Sequence, residues 1–183
     1  ILDCKTLKAL SAEVLIRFKQ NKFGDQFYPD EFIKVAEENG SIYRIGDWVL
    51  NESCRMLASL RQRNINLEKI QINLSMAECL QSFITERVLA KLNQNGLCPK
   101  DICLEITETT EGRIPQVLKE NMISLANAGV KIAVDDFGTG FSSLSYLRSL
   151  PLDALKLDKS FVHEIEGDLK ARSIVGSMIE VAH

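Results

Sequence analysis

Short runs of alternating apolar and polar residues recur along the chain, separated by stretches with helical spacing. The alternation predicts strands near Ala9–Arg17, Ile70–Leu74, Ile102–Thr107, Val130–Asp135 and Ala154–Leu157. Ile1–Asp3 is a candidate for the end of a sixth. Pro29–Glu38 opens with proline and acids and stops before Asn39-Gly40, which is the start and stop chemistry of a helix. Tyr43–Arg63 predicts a longer helix whose Ile45, Val49, Leu50, Leu57 and Leu60 form one buried stripe, with Trp48 expected in the core. Ala77–Asn95 reads as a helix closed by Gly96, and Gln116–Ala128 as one closed by Gly129. Gly138-Thr139-Gly140 is a loop before a short helix at Ser143–Ser149, which Pro151 ends. A last helix runs from Lys170 to His183. Strands alternating with helices imply parallel pairing and an α/β fold.

Side chains alternate faces along a strand. Ile70, Ile72 and Leu74 therefore share one face, and Gln71, Asn73 and Ser75 the other. The same split separates Ile102, Leu104 and Ile106 from Glu105 and Thr107, and Ile132 and Val134 from Lys131, Ala133 and Asp135. It separates Leu155 and Leu157 from Lys156 and Asp158, and Val14 and Ile16 from Glu13 and Arg17. The apolar face can pack under helices. The other gathers one polar residue per strand, late in most strands. In a parallel barrel those strand ends converge on one rim, where chemistry sits. A doubly wound sheet would spread them along a line, so the pattern favours a barrel.

The rim residues carry chemistry. Glu13, Glu105, Asp135, Asp136 and Asp158 with Lys156 leave four net negative charges, and Asn73 adds a neutral oxygen. Carboxylates that close stay ionised only beside cations, and two divalent ions would balance the charge. The donors are all oxygen, which favours Mg²⁺, Mn²⁺ or Ca²⁺ over Zn²⁺. Two such ions would clamp a phosphoryl oxygen. Mg²⁺ on carboxylates also serves enolate chemistry, and these residues alone do not separate the two reactions. His163 and His183 lack a partner triad, and Gly138-x-Gly140 is no Walker loop because no Gly-Lys-Ser/Thr follows.

Composition narrows the class. The 183 residues are 45 % apolar and 26 % charged, which suits one folded domain or part of one and excludes a disordered tail. A net charge of −3 gives no bulk attraction for nucleic acid or an anionic membrane. No stretch is long and apolar enough to span a bilayer, and Ile1-Leu2-Asp3-Cys4-Lys5 reads as neither an initiator Met nor a signal peptide. Cys4, Cys54, Cys79, Cys98 and Cys103 are odd in number and contain no C-x-x-C pair. They are expected to be reduced, buried thiols of a cytoplasmic domain.

Six motifs in order resemble the EAL-domain family of bacterial cyclic di-GMP phosphodiesterases. They are Glu13-Val14-Leu15-Ile16-Arg17-Phe18, Pro29-x-x-Phe32-Ile33-x-x-Ala36-Glu37, Ile72-Asn73-Leu74-Ser75, Leu104-Glu105-Ile106-Thr107-Glu108, Asp135–Leu144 and Leu155-Lys156-Leu157-Asp158-Lys159-Ser160-Phe161. The resemblance implies a (βα)₈ TIM-like barrel with one atypical strand, and hydrolysis of cyclic di-GMP to linear pGpG with two Mg²⁺ or Mn²⁺ ions. It implies that Glu13, Asn73, Glu105 and Asp135 ligate one metal, and that Asp135, Asp136 and Asp158 surround the second. Lys156 resembles the lysine near the attacking water, and Glu108 the glutamate that steadies the loop Gly138–Ser143. Leu15 and Arg17 resemble substrate contacts, Arg17 to a phosphate.

Val14 stands where the family has Ala, Phe18 where it has Trp and Leu157 where it has Ile. The chain begins after the family's Tyr-Gln-Pro segment and stops before the seventh strand, with its Ala-Glu-Gly-Val-Glu motif, and the eighth. A complete barrel usually needs about 250 residues. Residues 1–183 therefore read as a partial EAL domain, an incomplete barrel without the last strands. A catalytically silent receptor or interaction module for cyclic di-GMP is the alternative reading. The resemblance leaves room for a homodimer, for upstream sensor or GGDEF domains, and for membrane tethering of the full-length protein.

Overall fold

The computed structural model describes residues 1–18, 28–65, 67–107, 114–138, 147–163 and 165–182. Five strands are present: β1 (Ser11–Val14), β2 (Lys69–Leu74), β3 (Ile102–Thr107), β4 (Lys131–Phe137) and β5 (Ala154–Leu157). The helices are α1 (Pro29–Glu38), α2 (Ile42–Gln62), α3 (Met76–Cys79), α4 (Ile84–Gln94), α5 (Gln116–Asn127), α6 (Lys159–His163) and α7 (Leu169–Ala182). The sheet order is β1-β2-β3-β4-β5 and every pairing is parallel. A doubly wound sheet reverses its order at a switch point. This one never does, so it is a half-barrel with its helices outside.

The strand parity sets the two surfaces. Ile70, Ile72, Leu74, Ile102, Leu104, Ile106, Ile132 and Val134 lie in one buried core with Leu57, Val88, Leu92, Leu118 and Leu125 from the helices. The opposite face carries Glu13, Asn73, Glu105 and Asp135 toward the barrel interior. In β4 the parity breaks. The ladder with β5 shifts between Val134 and Phe137, and Asp136 has φ +50°. This bulge turns Phe137, instead of Asp136, into the core, where Phe137 is 3 % exposed.

Several sequence expectations need correction. Trp48 is 58 % exposed. It stands two residues before buried Leu50, about 200° round the helix, so it cannot share that stripe. The helix expected at Ala77–Asn95 is two helices. Ser75 and Glu78 form a capping box on α3, which stops at Leu80. The carbonyls of Cys79 and Gln81, freed by the break, accept hydrogen bonds from Asn121 Nδ2 at 2.7 and 2.9 Å. Ile1–Asp3 adds no strand to the sheet; Leu2 makes an isolated antiparallel bridge with Ala9. The first strand is shorter than expected and β4 longer. All five cysteines are free thiols, but Cys4 and Cys98 are exposed. Of the helix expected at Ser143–Ser149, only 147–149 falls within the described residues, as a helical turn.

The N-terminal end of the sheet is closed by a salt bridge. Arg61 Nη1 and Nη2 donate to Asp101 at 2.7 and 2.8 Å, and Asp101 also accepts the Cys98 backbone N–H at 2.7 Å. The Arg61 hydrogen bonds hold the Asp101 carboxyl below the usual carboxylate range, against its burial. Arg61→Ala is expected to cost ~2 kcal/mol at neutral pH, because nearly buried Asp101 is left without its partner. A depressed folded pKa contributes stability above the ordinary value of about 3.9 and loses it as pH falls through the folded value. Urea unfolding of the full-length protein and the variant should therefore show a gap that narrows below about pH 4. A gap that stays constant on acidification would contradict this assignment.

Candidate metal centre

Four strands each bring one charged side chain to a single point inside the half-barrel. Glu13 comes from β1, Glu105 from β3, Asp135 from β4 and Lys156 from β5. Lys156 Nζ lies 2.9 Å from Glu105 Oε2, 3.0 Å from Asp135 Oδ2 and 3.5 Å from Glu13 Oε2. From β2, Asn73 Nδ2 donates to Glu13 Oε1 at 3.1 Å. One carboxylate oxygen from each of Glu13, Glu105 and Asp135 lies within 4.8 Å of the other two.

Glu105 is the deepest, at 1 % exposure. Burial raises its pKa, the Lys156 hydrogen bond pulls it back, and Glu13 and Asp135 add repulsion. Lys156 is also penalised by burial, but its hydrogen bonds to Glu105 and Asp135 outweigh that and its pKa rises. The second oxygen of Glu105, Oε1, is buried without a hydrogen-bond partner among the described residues. A buried carboxylate oxygen left in this way is costly unless something positive faces it.

Asp136 and Asp158 fall outside this group of three. Asp136 is exposed on the β4 bulge, and its backbone N–H donates to Asp135 Oδ1 at 3.0 Å. Burial and then the neighbouring Asp135 and Asp158 raise its pKa. Asp158 Oδ1 instead accepts from the Ser160 hydroxyl and, at 2.9 Å, from the Ser160 backbone N–H at the start of α6. These bonds lower its pKa. Glu108 lies outside the described residues. His163 is exposed, and His183 also lies outside them.

A cleft of about 570 Å³ opens beside the acids. Leu15, Arg17, Asn73, Thr107, Asp135 and Asp136 line it. Arg17 is exposed, with Nη1 donating to the Ile16 carbonyl at 2.8 Å, and Leu15 is 52 % exposed. A larger cavity of about 960 Å³ lies between the end of β1 and α1–α2, lined by Ile16, Phe18, Phe32 and Ala36. It holds none of the clustered acids.

Sequence reasoning missed the support under this cleft. Glu78 is 3 % exposed and accepts from Arg87 Nη2 at 3.1 Å and from Ser75. Burial raises its pKa, against the Ser75 and Arg87 bonds. Gly46 of α2 leaves the space that the Glu78 carboxylate fills. A glycine inside an otherwise amphipathic helix, and the Ser75-x-x-Glu78 spacing, were the available signals.

The whole of residues 1–183 matches the family described as the EAL domain. The chain belongs to the EAL-domain family. It is 36 % identical over 175 residues to the cyclic di-GMP phosphodiesterase NbdA of Pseudomonas aeruginosa, covering 93 % of this chain and 22 % of NbdA. The curated relatives it matches are much longer, and it spans about a quarter or less of the first of them. Among solved structures, the EAL enzyme Bd1971 with bound cAMP superposes with a TM-score of 0.90 at 28 % identity, over 100 % of this chain and 51 % of that one. The PaMucR phosphodiesterase in complex with c-di-GMP gives 0.82 at 34 % identity, over 92 % of this chain and 68 % of that one. No helix among the described residues is long and apolar enough to cross a membrane.

The electrostatics of this EAL domain are testable through Lys156. Lys156→Met leaves three acids without their shared cation, so the pKa of Glu105 should move further up. A raised folded pKa contributes stability below the unfolded value and loses it as pH rises through the folded value. Relative to the unaltered protein, the variant is expected to melt several degrees lower at about pH 7 than at about pH 5. Added divalent cation should restore it. A loss independent of pH would show that Lys156 does not compensate the cluster.

Proposed function

We propose that this EAL domain supports the hydrolysis of cyclic di-GMP to linear pGpG with Mg²⁺ or Mn²⁺. The observation that carries the reading is the convergence of Glu13, Glu105 and Asp135, with Glu105 Oε1 buried and unpartnered among the described residues. An all-oxygen donor set with a spare buried carboxylate oxygen fits a hard divalent cation. Glu13, Asn73, Glu105 and Asp135 would hold one ion, and Asp135, Asp136 and Asp158 would surround the second. When bound, such ions supply positive charge at a phosphoryl oxygen and acidify water.

The chain's own residues do the rest. Arg17 neutralises a substrate phosphate, and Leu15 offers apolar surface to the nucleotide. Lys156 keeps its charge among the acids and holds Glu105 and Asp135 at their positions while presenting N–H donors to the cleft. Water then adds to one phosphorus as one ring P–O bond opens, and the product is linear.

The names of similar proteins support the same substrate. NbdA is described as a cyclic di-GMP phosphodiesterase, and PaMucR as a phosphodiesterase seen with c-di-GMP. The test is hydrolysis by the full-length protein with Mg²⁺ or Mn²⁺, with pGpG separated by chromatography. Glu105→Gln keeps the side-chain shape and removes the charge. It is expected to lower turnover at least about 100-fold, because a metal ligand should matter no less than the groups that orient one. Tight binding without product would move the reading to a receptor, and an active Glu105→Gln variant would remove Glu105 from the site.

A further inference from the structure

Asp136 stands on a turn that is held from outside the cleft. Its φ is +50° and that of Gly138 is +101°, so two left-handed residues bracket Phe137. The Phe137 ring is sunk in the core. On the other side, a Cβ placed on Gly138 would lie 2.7 and 2.9 Å from two ring carbons of Phe161, and 3.0 Å from the terminal methyl of Met178. Phe161 belongs to α6 and Met178 to α7. The same segment makes a second tie: the Asp158 N–H donates to the Phe137 carbonyl at 3.5 Å, and the Phe161 N–H to the Asp158 carbonyl at 3.2 Å.

Left-handed backbone is unfavourable for a residue with a Cβ, although Asp tolerates it better than most. Such a conformation persists only where its surroundings impose it. Phe137 fixes the turn from below, and the Phe161 ring closes it from above. Without that ring, the space above Gly138 opens and the turn can relax, swinging the Asp136 carboxylate away from the cleft.

We propose that Phe161 is a positioning residue for Asp136, acting through van der Waals contact with Gly138. The inference rests on the reading of Asp136 as a ligand of the second cation. It adds that α6 and α7 set how tightly that cation is held. Gly138 is then required for two reasons, its φ and the absence of a Cβ beneath the ring.

The test uses the full-length protein with Phe161→Ala and the conservative Phe161→Leu. Mn²⁺ binding is measured by calorimetry without substrate, alongside steady-state kinetics at varied Mn²⁺. Phe161→Ala is expected to weaken one of the two Mn²⁺ sites by roughly 10-fold or more, the size seen when groups that orient metal ligands are removed, and leave the other unchanged. KM for cyclic di-GMP should stay within about twofold at saturating Mn²⁺. Phe161→Leu, which keeps apolar bulk over Gly138, should recover most of the loss. A merely structural role would lower the melting temperature of both variants and leave Mn²⁺ affinity unchanged below it, which would overturn the proposal. Unaltered protein that binds Mn²⁺ but does not cleave cyclic di-GMP would refute the hydrolytic reading alone, because calorimetry still decides the role of Phe161. Failure of the unaltered protein to bind a second Mn²⁺ would overturn the proposal itself.

Discussion

Lys156 Nζ reaches three carboxylates that arrive from three other strands, at 2.9, 3.0 and 3.5 Å. This one ammonium faces all three. Parallel strands that curve in sequence bring side chains of one parity toward a common axis, so acids on several strands are forced together. Folding this sheet without a cation at that point would leave a buried Glu105 and two half-buried acids to repel. One lysine offsets only part of three acids, and Asp136 stands close by. The residual negative charge leaves the cleft electronegative. Stability and cation affinity therefore draw on the same charges.

The β4 bulge is the second constraint. Ordinary alternation would send Asp136 into the apolar core after Ile132 and Val134. The shift in register substitutes Phe137 there and leaves two consecutive acids on the cleft side. The local cost is an aspartate at positive φ. The Phe137 ring in the core offsets that cost, since it can be buried only if the turn is made. The acid pair and the aromatic after it therefore act as one structural unit.

Much of this was legible from period alone. All five strands were readable because each has apolar residues at every second position, and the polar parity located Glu13, Asn73, Glu105, Asp135 and Lys156 on the inner face. The rest turned on packing and hydrogen bonds that period does not encode. The break after α3 depends on Asn121, about forty residues on, whose amide takes two carbonyls that a continuous helix would have used. The exposure of Trp48 depends on which angular sector of α2 meets the sheet. For Asp158, sequence spacing put an acid at the strand end, and the structure adds that Ser160 engages its carboxylate. Phe161 carried no chemical signal at all, because its partner is the missing side chain of a glycine.

The two ends of the half-barrel divide the electrostatic work. At the N-terminal end, Arg61 and Asp101 form a matched two-pronged pair whose charges cancel and whose hydrogen bonds are filled. At the C-terminal end, three acids share one lysine and a buried Glu105 oxygen has no hydrogen-bond partner among the described residues. A parallel sheet tolerates this asymmetry because its core lies between strands and helices, away from the interior rim. The apolar layer of Ile72, Leu104, Ile106 and Val134 packs on the side of the strands away from the acids. Unfilled electrostatic capacity can thus be kept at the rim at a bounded cost, because most of the apolar burial lies on the other side of the sheet.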